Sequence, residues 1–254
     1  MSTLALRQIA SAARDLDGTN AALKAVFGAD VAHVDPGIAK FGLHHAVLEF
    51  GPAQFFEVVA PFTDDAPAAR YLRSADARGY MLIFQAATAE RAAIRERGKE
   101  LGYREIYTVS DDGYNCLQWH PADIGPSMLE VDTHVEDNME GPWWPAGNSR
   151  GDEGRSRVAQ VIGSTLLSND PAAQAKQWAQ FLDRPLAEVD GAHRVTTDNA
   201  WIDFLPADGA EPGLSGLTVQ CRDLQAVRDA AQAAGLLNED GTAQIAGLRF
   251  TLTE

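Results

Sequence analysis

A strand, a helix and then three strands can be read in that order from the start of the chain, and the same order begins again near Tyr80. Such an internal repeat restricts the fold more than any single motif, because each copy needs a neighbour against which to bury its apolar face. In the first copy Leu4–Arg14 reads as a strand. The helix after it takes Asp17 as its cap, Leu23, Val26 and Phe27 as its apolar stripe, and Gly28 as its left-handed exit. Strands at Asp30–Val34, Phe41–Phe50 and Gln54–Val59 follow, parted by Asp35-Pro36-Gly37 and Gly51-Pro52. Residues 62–78 read as a charged connection.

The second copy has a strand at Tyr80–Ala86 and a helix from Thr88 to Gly102, with Ile94 and Leu101 facing inward. Strands at Arg104–Val109, Tyr114–His120 and Ser127–Thr133 complete it, with turns at Asp111-Asp112-Gly113 and Pro121–Pro126. Corresponding residues keep their offset to within one residue: 72 positions separate Gln8 from Tyr80, and 73 separate Glu57 from Glu130. Asp137–Arg155, rich in Gly, Pro and charge, reads as a linker. Its PWWP stretch is expected to pack against a domain surface, with a lid over a ligand as the alternative. Two shorter, worn copies follow. Their strands are Val158–Ser168, His193–Thr197, Ala200–Leu205, Gly216–Cys221 and Gln244–Thr253. One helix opens at Asp170-Pro171 with the stripe Trp178, Phe181 and Leu182, and the other runs from Asp223 to Ala234.

Within the first copy, FFEVVAP (Phe55–Pro61) places Glu57 among large apolar neighbours. Side chains alternate along a strand, so Phe55, Glu57 and Val59 share one face and Phe56, Val58 and Ala60 the other. If both faces are covered the carboxylate is buried, which is costly unless it is paired, protonated or metal-bound. PSMLEV (Pro126–Val131) repeats the pattern with Glu130.

The 254 residues are 45% hydrophobic, enough for one large domain or two small ones with proper cores. A net charge of −15 repels phosphate backbones and anionic lipid surfaces, so neither nucleic acid nor membrane is expected as a partner. MSTLALRQIA has no basic stretch leading into a sustained apolar run, and a cytoplasmic location is expected. Cys116 and Cys221 form no CxxC and read as small buried residues. The sequence contains no GxGxxG, P-loop, GxSxG or HExxH.

Four βαβββ-like units in two pairs resemble the vicinal oxygen chelate superfamily, which includes glyoxalase I, extradiol dioxygenases, methylmalonyl-CoA epimerase and bleomycin resistance proteins. QIASAARDLD (Gln8–Asp17) resembles that family's opening strand, in which a His or Gln ligand precedes an Asp-Leu helix start by seven residues. FFEVVAP resembles the fourth strand that supplies its glutamate ligand. The resemblance implies an α+β fold of two glyoxalase-like domains. The first would span residues 1–136, as units 1–78 and 79–136. A linker at 137–155 and a shortened, degenerate domain at 156–254 would follow.

Carried over residue by residue, the resemblance implies Gln8, Glu57, Tyr80 and Glu130 as ligands of a divalent metal ion. Tyr80 departs from the usual His or Gln, since a phenol with a pKa of ~10 ligates poorly unless the metal deprotonates it. His33, His44, His45, His120 and His134 precede the linker and place any imidazole chemistry in the first half. Glu57, Glu130 and His45 are the expected catalytic groups, and Phe55, Trp119, His120 and His134 the expected substrate contacts. In the second half Gly163 and Gly216 fall at the positions of Gln8 and Tyr80, and Asp203 and Arg249 lie on the later strands.

The reading is a metal-assisted isomerase or lyase, glyoxalase-like, acting on a small oxygenated metabolite. The alternative is a metal-free binder of the bleomycin-resistance type, with Tyr80, Phe55, Trp119 and Trp143 as stacking surfaces. An extradiol dioxygenase is less favoured, because a second histidine ligand is missing. The expected partner is a small molecule, and a homodimer is allowed.

Overall fold

The structure, a computed structural model, describes residues 3–73, 75–111, 113–125, 127–151 and 155–254. Asp112 of the expected turn, Pro126 at the head of PSMLEV, Ser74 of the charged connection, residues 152–154 of the linker and the first two residues lie outside the described residues.

The first repeat comprises β1 (Leu4–Ala13), α1 (Leu16–Phe27), β2 (Val31–His33), β3 (Leu43–Glu49) and β4 (Phe55–Pro61), with α2 (Pro67–Leu72) after it. The second comprises β5 (Ala77–Ala86), α3 (Arg91–Glu100), β6 (Glu105–Asp111), β7 (Tyr114–Trp119), a short α4 (Pro121–Ile124) and β8 (Met128–His134). The third comprises β9 (Val158–Ser168), α5 (Pro171–Leu182), β10 (Leu186–Val189), β11 (Ala192–Thr196) and β12 (Trp201–Pro206). The fourth comprises β13 (Gly213–Cys221), α6 (Leu224–Ala233), β14 (Ala243–Ile245) and β15 (Leu248–Thr253). The α+β order is the one read from the sequence, except that the third repeat, expected to be shortened, has a further strand in β10 and is full, so that among the described residues only the fourth is one strand short.

In each repeat the first strand runs parallel to the last. Gln8 faces Phe55 across β1 and β4, and Met81 faces Met128 across β5 and β8. Gly163 faces Trp201 across β9 and β12, and Gly216 faces Arg249 across β13 and β15. The middle strands join antiparallel, giving the orders β2-β3-β4-β1, β5-β8-β7-β6, β10-β11-β12-β9 and β13-β15-β14. The chain divides into two compact units. The first takes Met1–Arg7, Met81–Met139 and Gly163–Ser215, hence most of the second and third repeats. The second takes Gln8–Tyr80, Glu140–Ile162 and Gly216–Glu254, hence most of the first and fourth.

Several local expectations shift. Asp15, not Asp17, caps α1: its backbone is extended and its carboxylate accepts from Gly18 N at 2.9 Å, which leaves Asp17 inside the first turn. Within residues 62–78 stands α2, with Pro67 in its first turn and Ala68 and Leu72 buried against Leu43 and Val59. Its brevity hides it from a reading based on periodicity. The expected strand Gln244–Thr253 is two strands, parted by a turn at Ala246-Gly247. Gly247 has φ +74°, and a Cβ there would lie 2.4 Å from the carbonyl of Ala77, so only glycine fits.

Aromatic rings anchor each unit. Phe27, Phe50, Phe56 and Phe250 pack in the second with centroids 5.0–6.2 Å apart. In the first, Trp119 meets Phe181 edge-on at 4.7 Å, and Trp178 Nε1 donates to Ile124 O at 2.7 Å. Burying each such ring contributes about 1.5–3 kcal/mol. Among the described residues no helix is long and apolar enough to cross a membrane.

Candidate functional site

Strand register builds the Glu57 cluster in the second compact unit. Ala10 of β1 and Val47 of β3 flank Glu57, so Gln8 and His45 are its diagonal neighbours on the same sheet face. Both reach it. Gln8 Nε2 donates to Glu57 Oε2 at 2.9 Å, and His45 Nδ1 lies 2.6 Å from Oε1. All three side chains are buried, with Glu57 8% exposed.

Two backbone and linker contacts fix the donors. Asp35 N donates to His45 Nε2 at 2.8 Å, which makes that nitrogen an acceptor and places the ring proton on Nδ1, toward Glu57. Burial opposes charging of the ring, but the hydrogen bond and charge of Glu57, with Asp35, outweigh it, and the imidazole pKa is raised. A doubly protonated ring would set Nε2–H against the Asp35 N–H, so the backbone favours the neutral Nδ1–H form. Trp143 Nε1 donates to Gln8 Oε1 at 2.7 Å. An indole N–H only donates, so the Gln8 oxygen must face it and the amide NH2 must face Glu57. Trp143 is itself buried, held by its N donating to Ser149 O at 2.8 Å. The PWWP segment thus does more than cover a surface: its first tryptophan is hydrogen-bonded into the cluster.

Tyr80 packs on the same apolar cluster as Ala12, Leu43 and Val59, its ring 5.3 Å from that of Tyr71. Burial, then the charge of Glu57, pushes its phenol up to about 12. Phe55 is fully buried.

Glu130 has different company in the first compact unit. Gln118 faces it, and Cys116 faces Asp132, across β7 and β8, so all four share one sheet face. One ligand atom each from Cys116, Glu130 and Asp132 lie within 4.8 Å of one another. Gln118 Nε2 donates to Glu130 Oε2, and Tyr114 OH donates to Asp132 Oδ2 at 2.8 Å. Asp132 Oδ1 is buried and has no hydrogen-bond partner among the described residues. Burial, then the charge of Glu130, holds the Asp132 carboxyl well above the usual range, and burial with the same two carboxyls pushes the Cys116 thiol up. Asp132, Cys116, Gln118 and Tyr114 escaped the sequence reading. The signal was the i, i+2 spacing that puts Glu130 with Asp132, and Cys116 with Gln118.

The remaining expected contacts are placed as follows. Trp119 is buried against Phe181, and a Cβ on Gly98 would lie 2.8 Å from its Nε1. His120 caps α4, its Nδ1 accepting from Ala122 N at 3.1 Å. His134 Nδ1 accepts from Glu136 N at 3.3 Å. In the third repeat Trp201 fills the space above Gly163, where a Cβ would lie 2.4 Å from the indole, and Asp203 pairs with Arg194 through two 2.7 Å hydrogen bonds. In the fourth, Arg249 pairs with Asp240.

No family model matches the chain, and no curated protein matches it. Among solved structures, the Mn(II)-bound glyoxalase from Novosphingobium aromaticivorans aligns at TM-score 0.70 and 12% identity, over 99% of this chain and 82% of that one. The chain has the vicinal oxygen chelate fold. A methylmalonyl-CoA epimerase from Streptomyces coelicolor aligns at 22% identity and TM-score 0.46, over 54% of this chain and 99% of that one. The epimerase from Mycobacterium tuberculosis aligns at 21% and 0.44, over 51% and 87%.

Within this vicinal oxygen chelate fold the donors available to a metal differ between the two clusters. Gln8 spends its oxygen on Trp143 and its NH2 on Glu57, both Glu57 oxygens accept N–H groups, and Tyr80 holds its proton. Those three do not fit a metal in this arrangement. Cys116, Glu130 and Asp132, with an orphaned buried oxygen, allow a divalent ion.

Proposed function

We propose that the chain is an isomerase or glyoxalase-type enzyme that moves a proton on a small oxygenated molecule, with Glu57 as the base. The observation that carries this reading is a buried carboxylate held between two N–H donors, Gln8 Nε2 and His45 Nδ1. A carboxylate has about four lone-pair sites, so two accepted hydrogen bonds leave it able to take a further proton. Burial keeps water from competing for that proton, and the fixed donors hold the oxygens in place, which general-base catalysis requires.

His45, through its Nδ1–H, and Gln8, through its amide NH2, hold the carboxylate in orientation, and the proton that Glu57 takes from one carbon it returns to the product. We assign the functional half to residues 1–136, with 137–155 as connector and 156–254 as the degenerate partner. In the third repeat, the Gly163/Trp201 and Arg194–Asp203 pairings support that assignment by filling the matching positions. A small molecule as partner and a cytoplasmic location belong to the same reading.

The test is exchange of carbon-bound protons for deuterium in a panel of small α-hydroxy and α-oxo compounds, followed by NMR. Wild type should exchange at least one of them, and Glu57→Gln should slow it roughly 10²–10⁴-fold. Exchange untouched by Glu57→Gln overturns the assignment, and tight binding without exchange favours a ligand-holding protein.

A further inference from the structure

We propose that Cys116, Glu130 and Asp132 form a site for a thiolate-accepting divalent ion of the zinc and cobalt kind rather than for a hard ion such as Mn²⁺ or Mg²⁺. The inference goes beyond the proton-transfer reading and stands or falls separately from it.

Geometry comes first. Cross-strand register brings the three side chains to one face, and their ligand atoms lie within 4.8 Å of one another. All three are buried, Asp132 completely. Two carboxyls and a thiol crowd this space, where the Gln118 amide donates to Glu130 and the Tyr114 hydroxyl to Asp132. Asp132 Oδ1 is buried and has no hydrogen-bond partner among the described residues, which is costly. A cation there supplies the missing partner.

The donor chemistry then selects the ion. Carboxylates alone suit Mg²⁺, Ca²⁺ or Mn²⁺, whereas a thiolate shifts preference to softer ions such as Zn²⁺. Three protein ligands with one position left for a small molecule match the pattern of zinc sites that act on substrates. Gln118 and Tyr114 hold the two carboxylates from behind, as outer partners do in such sites. On binding, the Cys116 S–H bond breaks, its proton goes to solvent and the sulfur pair enters the metal.

The test uses the full chain, stripped with chelator and titrated with Co²⁺. Wild type should bind near-stoichiometric cobalt and develop the near-ultraviolet thiolate-to-cobalt charge-transfer band. Cys116→Ser should lose that band and Cys221→Ser should keep it. Tyr114→Phe should weaken binding about 10–100-fold. Zn²⁺ should displace the cobalt where equal Mn²⁺ does not, a measurement on wild type that holds even if the Cys116 variant fails to fold. Cobalt bound without the band, a band that survives Cys116→Ser, displacement by Mn²⁺, or no binding at all overturns the proposal.

Discussion

Glu57 and Glu130 stand 73 positions apart, each on the last strand of its repeat and each buried, yet their neighbours are opposite in kind. Glu57 is met by N–H groups, from Gln8 and His45. Glu130 accepts from the Gln118 amide and stands beside two acidic groups, Asp132 and Cys116. The cause is in the adjoining strands. β3 offers His45 on the shared face, while β7 offers Cys116 and Gln118, and β8 adds Asp132 two residues after its glutamate. A repeat therefore conserves position without conserving chemistry. On the proposed reading, the first carboxylate accepts a proton and the second contributes to a metal site.

The strongest way to break that comparison is by activity. Proton exchange should fall roughly 10²–10⁴-fold in Glu57→Gln, and by less in Glu130→Gln. Equal losses would mean that the two carboxylates act as one device, and the contrast in surroundings would have no functional meaning.

Stability should separate the two with opposite signs. Glutamine at position 57 must turn its NH2 toward either Gln8 or His45, leaving one buried donor without an acceptor, at about 1–3 kcal/mol. Glutamine at 130 removes one of two neighbouring acids and can donate to Asp132, so chelator-treated protein should gain stability. Urea denaturation of both variants measures this directly. A loss of stability in each would show that Glu130 has a cationic partner in the metal-free protein.

Trp143→Phe probes the Glu57 cluster from outside the repeats. The ring still packs, but Gln8 Oε1 loses its donor and the amide can turn. The loss should be about 1 kcal/mol in stability and roughly tenfold in kcat/KM, carried by kcat because Trp143 acts on Glu57 through Gln8. A change confined to KM would make Trp143 a substrate contact instead.

The repeat, the opening strand and the buried glutamates were legible because strand alternation and a nearly constant offset are written in the residue order. Gln8 and Glu57, which the family resemblance implied as metal ligands, are hydrogen-bonded to each other. What could not be read is what depends on distant chain: that Trp143, 135 positions away, sets the Gln8 amide, and that a backbone N–H at Asp35 sets the His45 tautomer. Short helices such as α2 lack enough residues to show a period. The Asp132 and Cys116 pairing needed the β7–β8 register, which shifts meaning with a slip of one residue.

Asp123 gives the smallest control, because it lies in the first compact unit with Glu130 yet, like Glu57, is met by N–H donors, here at the surface and from the charged Arg104. Arg104 Nε and its backbone N reach one carboxylate oxygen at 2.8 and 3.0 Å, and NH2 reaches the other at 2.8 Å. The Arg104 side-chain hydrogen bonds, then its backbone N–H, pull the carboxyl pKa down to about 2. A folded value below the unfolded one, near 3.9, means that the contribution is complete above about pH 4 and disappears as pH falls toward 2. Asp123→Asn should therefore flatten that part of the stability curve and leave it unchanged at neutral pH apart from a constant offset. The pair is solvent-exposed, so the effect should be small and should shrink further in high salt. If the slope persists in Asp123→Asn, other carboxylates generate it. If it vanishes, N–H partners rather than the compact unit or the repeat set how a carboxylate in this chain behaves, and the contrast between Glu57 and Glu130 rests on the same physics.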